Sequence, residues 1–236
     1  MAARQTLTPQ QKWYASEMNL HNQIIVDLGA NVGEQSEFFW LQGKGQNIVI
    51  SVEPLPENIK QLNRKIKKHK AKAWQLVQAV VNNTNNPTRV LFQQDTESGW
   101  NSVVIDDQKV ASKNIIPVKS QRLSDIHPEP TVVKIDIEGH EYVVLNDAVA
   151  TMPSIHSWAV ELHMREEYPL DETLKLFEEN GFTIVAAGTD PTNPSVWKSI
   201  PISSALTWNQ IPVAKINPNG SVFKSLHIIA KRKANG

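Results

Sequence analysis

The chain has 236 residues, 40% of them hydrophobic, and its 24 Lys and Arg are matched by 24 Asp and Glu. That length supports one domain with a sizeable core, and a net charge of zero provides no field to gather nucleic acid or an anionic membrane surface. Cysteine is absent, which excludes disulfides, thiolate catalysis and Cys-based zinc sites, and no apolar run approaches the length of a membrane span.

Residues 1–11 are polar and do not read as a secretory signal, so the chain is expected to be cytoplasmic or otherwise intracellular and not secreted. Residues 1–22 form an N-terminal lead-in, with a helix predicted over 8–20. Ile24–Leu28 is the first strand. Residues 33–41 read as a helix carrying Phe38, Phe39 and Leu41 against a sheet, and 48–53 as a second strand ending in an acid. Residues 56–70 follow with Ile59, Leu62 and Ile66 at spacings of three and four, a clean amphipathic face.

Residues 74–81 and 89–93 read as strands joined by the polar turn 82–88, and 115–120 as a short strand or edge segment. The β-branched run 131–137 predicts a strand, with a helix over 142–150 and another strand over 157–163. Leu170, Leu174 and Phe177 form a helical stripe closed by Asn180-Gly181. Residues 182–187 and 222–231 are the last two strands, and with no helix between them they predict an antiparallel hairpin at the sheet edge. Segment 188–220 between them is rich in Pro, Asn and Ser and holds Trp197 and Trp208; it reads as a partly packed lid over an acceptor. Apolar strands alternating with helical patterns define a doubly wound α/β fold.

Chemistry concentrates in two places. Asp27-Leu28-Gly29-Ala30-Asn31-Val32-Gly33 is an acid, a tight turn and a helix start after a buried strand, where open α/β sheets bind ligands. A dinucleotide fingerprint has glycine at its third position so that backbone can approach a pyrophosphate. Here Asn31 stands there and the spacing is G-x-x-x-G, which disfavours a nicotinamide dehydrogenase. The turn suits a nucleoside without phosphates, and S-adenosylmethionine is the common ligand of that kind. Glu53, about 20 residues beyond the turn, can accept both ribose hydroxyls in one bidentate contact.

The second place is Val133-Lys134-Ile135-Asp136-Ile137-Glu138-Gly139-His140-Glu141. With V-D-L-G-A-N-V-G (26–33), V-E-P-L-P-E-N (52–58), Q-A-V-V (78–81), Val144-Leu145 and A-V-E-L (159–162), it resembles the FkbM-like family of class I S-adenosylmethionine-dependent methyltransferases. These motifs follow the family's order over most of the chain, and D-I-E-G-x-E is the specific one. The resemblance implies a Rossmann-like seven-stranded, mostly parallel sheet with an antiparallel edge hairpin and helices on both faces.

It also implies methyl transfer, usually to oxygen, with S-adenosylhomocysteine as product. Asp27, Gly29, Ala30, Asn31 and Gly33 would line the cofactor turn, Glu53 with Pro54 would hold the ribose, and Gln78 and Ala79 would touch adenine. Asp136 would stand beside the transferable methyl, and Glu161 would end the fifth strand. His140 falls where the family varies and reads as local structure. The resemblance suggests a hydroxyl of a sugar, glycan or related small metabolite as acceptor. Another acceptor (an RNA ribose or a polyketide) and an inactive nucleoside-binding scaffold are the competing readings.

A sugar hydroxyl is a poor nucleophile, so a general base worth on the order of 10²–10⁴ in rate is expected. Asp136, Glu138, Glu161 and His163 are the candidates, and His163 is preferred because its ordinary pKa lies nearest neutrality. A divalent metal, magnesium or manganese, on Asp136 and Glu161 is a second route. The same two carboxylates are also explained by hydrogen bonds to the cofactor's ammonium. Lys60, Arg64, Lys65, Lys67, Lys68, Lys70 and Lys72 read as a solvated helix face, and Trp100, Trp197 and Trp208 as candidate stacking platforms. Ser98-Gly99-Trp100-Asn101-Ser102 reads as a polar loop.

Overall fold

The computed structural model describes residues 6–83, 90–94, 101–104, 115–187, 197–211, 213–216 and 222–233. In chain order the elements are α1 (Pro9–Glu17), β1 (Ile24–Leu28), α2 (Glu34–Gln42), β2 (Ile48–Val52), α3 (Pro56–His69), β3 (Trp74–Val77) and β4 (Val80–Val81). Then come β5 (Val90–Gln94), β6 (Asn101–Val104), β7 (Ile115–Val118), β8 (Ser120–Gln121), α4 (Leu123–Ile126), β9 (Val132–Ile135), α5 (Glu141–Ala148) and β10 (Ser157–Met164). The last are α6 (Leu170–Glu179), β11 (Phe182–Ala187), β12 (Ser199–Ile202), β13 (Lys215–Ile216) and β14 (Val222–Arg232).

Local chemistry sets the helix ends. Thr8 opens α1 through a capping box with Gln11, and Pro9 follows in the first turn. In α3, Pro56 and Glu57 sit in the first turn and Lys67, Lys68 and His69 in the last, complementing the helix dipole. Leu41 is 39% exposed instead of facing the sheet. It lies about 160° around the helix from Phe39, too far to share its buried face.

The main sheet has nine strands in the order β12–β11–β14–β10–β9–β1–β2–β3, with β13 on β14. β3, β2, β1, β9 and β10 are mutually parallel, and β14 runs antiparallel to β10 along its whole length. Alternate residues feed two cores. Val26, Leu28, Val133 and Ile135 pack with Val144, Leu145, Leu174 and Phe177 of α5 and α6. Ile25, Val49 and Val132 pack with Trp13, Tyr14, Phe38, Phe39 and Leu62 of α1, α2 and α3.

Three expectations are corrected. The sheet has nine strands where seven were expected, because segment 188–220 contributes β12 and β13. β11 and β14 do pair antiparallel, but β14 lies inside the sheet between β10 and β11, and the edge is β12. Pro201 in β12 is compatible with an edge strand and hid that strand from a propensity reading. Asn101 and Ser102 are not loop: they begin β6, which pairs with β5, and β5 also pairs with β7 in a small antiparallel sheet. Most of the expected turn 82–88, and Trp100, lie outside the described residues.

Trp197 packs between Trp13 and His227, with ring centroids at 5.5 and 4.7 Å. The Lys224 ammonium stands 4.4 Å over the Trp208 ring and donates to the Trp208 carbonyl at 2.6 Å. Both tryptophans are therefore partly committed to packing. Among the described residues no helix is long and apolar enough to cross a membrane.

The basic face of α3 converges at one point on α2. Glu37 receives Lys65 and His69 at 2.5 Å each and Lys68 at 3.5 Å. Burial raises the Glu37 carboxyl, but the Lys65 and His69 bonds outweigh it and bring it down to about 2. A carboxylate depressed in the folded state contributes stability above its unfolded pKa, and loses it as pH falls through the folded one. Glu37→Gln should therefore lower the melting temperature at about pH 6, with a loss on the order of 1 kcal/mol. The gap to wild type should close as pH falls from 4.5 toward 2; a gap constant over that interval in calorimetric melts would contradict the pairing.

Candidate active site

The carboxyl ends of β1, β2 and β9 meet at the glycine turn. Gly29 has φ +74°, and a Cβ there would fall 1.8 Å from the Asp136 carbonyl oxygen, so only glycine lets the turn lie against the end of β9. Both Gly29 and Ala30 N–H groups donate to the Val52 carbonyl at 3.0 Å, tying the turn to β2. Gly33 is required for a different reason: its φ is +81°, and a Cβ would meet Leu62 of α3 at 2.4 Å. That contact is a packing constraint between the turn and α3.

An open cleft of about 670 Å³ lies over this turn, walled by Gly29, Asn31, Glu53, Pro54, Asn58, Ala79–Val81, Asp136, Ile137, Glu138 and His140. Glu53 is 4% exposed. Its Oε2 accepts the Asn31 N–H at 2.8 Å, and its Oε1 accepts the Leu55 N–H at 3.0 Å and the Asn58 amide at 3.2 Å. Burial pushes its carboxyl pKa up while these donors oppose the shift. Three donors hold the carboxylate in one orientation and leave lone-pair capacity toward the cleft.

The remaining expected cofactor residues sit elsewhere. Asp27, Ala30, Gly33 and Gln78 do not wall the cleft. Gln78 is exposed and donates to the Pro54 carbonyl at 3.2 Å, leaving Ala79 as the apolar wall. Asp27 is fully buried beneath the turn, where it accepts the Ser36 hydroxyl at 2.5 Å and pairs with Lys134 at 3.2 Å. A strand's side chains alternate faces, so Asp27 points down into the α1–α2 layer while the turn after it rises to the ligand edge.

Lys134, inside the K-I-D-I-E-G motif, is a cation of the site. It is 2% exposed, and its ammonium meets Asp27 at 3.2 Å, Asp136 at 3.3 Å and the Gly29 carbonyl at 3.2 Å. Burial would lower its pKa, but Asp136 and Asp27 hold it above the ordinary lysine value, and Lys134 in turn keeps Asp136 below the usual carboxylate range against burial. Buried Tyr14 of α1 feels the same charges, and burial pushes its phenol up. The signal was present: a lysine inside the apolar strand V-V-K-I is costly to bury without an acid nearby.

Asp136 is brought to Glu161 and His163, two positions apart on β10, where the ends of β9 and β10 meet. His163 Nε2 lies 3.5 Å from Glu161, 3.7 Å from Glu138 and 3.9 Å from Asp136. Its Nδ1 is 3.0 Å from Glu141, which is fully buried and also accepts the Gly139 N–H. Burial opposes protonation of His163, but Glu141 and the other acids raise its pKa to about 9. Burial and Asp136 push Glu161 up to about 7. On β14, His227 Nε2 is 3.5 Å from Glu161, and burial brings its pKa down to about 4. Glu141, the last acid of the D-I-E-G-x-E motif, and His227, which no motif contains, reach this cluster only through tertiary pairing. His140 is buried on the cleft wall, 3.4 Å from the Asn82 carbonyl oxygen, and burial lowers its pKa.

A glycine turn after the first strand, an acid after the second and this strand order define a Rossmann-like α/β methyltransferase fold. The methyltransferase FkbM domain model matches residues 27–184, and the chain belongs to that family. Among solved structures it is similar to the methyltransferase FkbM of Methylobacillus flagellatus KT, with 17% identity and a TM-score of 0.54 over 81% of this chain and 47% of that one. It therefore spans less than half of that relative's length. It is also similar to a precorrin-6y C5,15-methyltransferase of Geobacter metallireducens GS-15, at 13% identity and a TM-score of 0.48 over 99% of this chain and 94% of that one. No curated protein sequence matches the chain.

Lys134→Met leaves Asp27 buried, and half-buried Asp136 beside it, without their cation, a loss of about 3–5 kcal/mol that comes mainly from Asp27. Urea denaturation should show it, and adding Asp27→Asn should recover part of the loss. A Lys134→Met chain as stable as wild type would remove the ion pair from the account.

Proposed function

We propose that this methyltransferase domain binds S-adenosylmethionine in the Glu53–Asp136 cleft and methylates a hydroxyl of a sugar, glycan or related small metabolite. The observation that carries the cofactor reading is the Glu53 carboxylate, fixed by the Asn31 and Leu55 N–H groups and Asn58 on the wall of the cleft. A carboxylate in that position accepts the two hydroxyls of a ribose. Asn31 in the turn fits a ligand without a pyrophosphate. Ala79 is an apolar wall suited to a base, and Asp136, also on the cleft wall, is suited to a cationic group.

S-adenosylmethionine supplies an electrophilic methyl on a sulfonium and leaves as S-adenosylhomocysteine. The protein's task is alignment, which contributes up to ~7–11 kcal/mol in well-oriented systems. An ordinary pKa near neutrality favours His163 as base, but the surrounding acids raise it to about 9 and keep it protonated. Glu161, pushed up to about 7, would take the acceptor hydroxyl's proton while His163 orients it. A divalent cation on Asp136, Glu161 and His163 is the alternative route. His227, 3.5 Å from Glu161 and packed against Trp197, would border the acceptor. Segment 188–220 acts as the acceptor lid of a single methyltransferase domain.

Calorimetric titration with S-adenosylhomocysteine tests the cofactor site. Glu53→Ala should weaken binding by about 1.5–3 kcal/mol, the range for hydrogen bonds to a charged group. Unchanged affinity, or preference for a dinucleotide, would refute the ribose role. Labelled-methyl transfer to a panel of monosaccharides and glycans tests the acceptor class. In that assay His163→Ala should lower turnover by about 10²-fold or more while S-adenosylhomocysteine affinity stays near wild type.

A further inference from the structure

We propose that Asp136, Glu161 and His163 form a divalent-cation site at the carboxyl ends of β9 and β10, beside the cleft. One ligand atom from each lies within 4.8 Å of the others. The His163 Nε2 distances of 3.5 Å to Glu161 and 3.9 Å to Asp136 are long for hydrogen bonds. They suit donors arranged around a shared ion at metal–ligand distances of about 2.0–2.4 Å.

The surroundings are those of a metal-bound imidazole. Glu141, wholly buried, takes His163 Nδ1 at 3.0 Å and is itself held by the N–H groups of Ile137 and Gly139 at 3.3 and 3.0 Å. With its proton on Nδ1, the ring turns the Nε2 lone pair toward the carboxylates, and a carboxylate behind a ligating histidine is the usual orienting arrangement.

A second observation is independent of these distances. Among the described residues Glu138 Oε2, 3.7 Å from Nε2 and shielded from solvent, has no hydrogen-bond partner. Lys134 is already divided between Asp27 and Asp136.

One imidazole with two carboxylates fits manganese or another first-row divalent ion better than calcium, and leaves coordination positions for water or an acceptor hydroxyl. Bound there, the cation would hold and polarise the hydroxyl to be methylated. This role rests on the methyltransferase reading above; the site and its test do not.

The metal-stripped full chain is titrated with manganese chloride, with and without saturating S-adenosylhomocysteine, and followed by calorimetry and manganese electron paramagnetic resonance. The expected result is one ion per chain, with spin-echo modulation from a single imidazole nitrogen in the wild-type protein. Affinity should fall at least about tenfold in Glu161→Gln and in His163→Ala, with circular dichroism unchanged, and should persist in Glu53→Ala.

Absence of manganese uptake in both conditions overturns the site, and so does uptake without nitrogen coupling or uptake undiminished in both folded variants. If Glu161→Gln weakens only S-adenosylhomocysteine and the wild type takes up no manganese, the cluster serves the cofactor's ammonium and the site is again overturned. Failure of S-adenosylhomocysteine to bind while manganese binds would sink the cofactor reading alone.

Discussion

The geometry of the site depends on one buried ammonium. Lys134 lies where desolvation alone would expel a charge, and it stays because Asp27, Asp136 and the Gly29 carbonyl surround it. Each partner belongs to a different part of the site: the end of β1, the end of β9 and the turn between β1 and α2. The ion cluster therefore sets the distance between the glycine turn and the D-I-E-G segment. The same approach puts the Asp136 carbonyl where a Cβ on residue 29 would collide with it. Two constraints, one electrostatic and one steric, enforce a single arrangement.

From Lys134 a polar chain runs under the sheet edge. Trp74 donates to Ser51 at 2.7 Å, Ser51 to Ser36 at 2.7 Å, and Ser36 to Asp27 at 2.5 Å, so β3, β2, α2 and β1 share one buried network. Networks of this kind are stabilising only when nearly every member is satisfied, and they favour one register over its neighbours. The cleft inherits that rigidity. Glu53 is held by neutral donors, whereas Asp136 is held by charge.

Much of the scaffold was legible. Ile24–Leu28 reads as a buried strand because every residue but Asp27 is apolar, and α3 reads as a helix because Ile59, Leu62 and Ile66 recur at its period. Glu53 was legible from position alone, an acid at the end of an apolar run. Other elements were not. β12 is four residues containing a proline, and β13 is two residues long, so neither carries a periodic signal and both exist through pairing with β11 and β14. Gly33 looked like part of a ligand turn, yet the neighbour that excludes a side chain there is Leu62, which lies 29 positions along the chain.

By itself the chain determined the alternation of strands and helices, the glycine turn, the acid after the second strand and the family motifs. These are properties of short segments, written in local periodicity and in residue types with few conformational alternatives. Tertiary structure alone decided that Asp27 serves Lys134 instead of the cleft, that Gln78 turns outward, and that His163 faces Glu138, Glu141, Glu161 and Asp136 at once. Such facts depend on strand order, register and the face each side chain takes, and these are selected by the packing energy of the whole fold rather than by any local stretch.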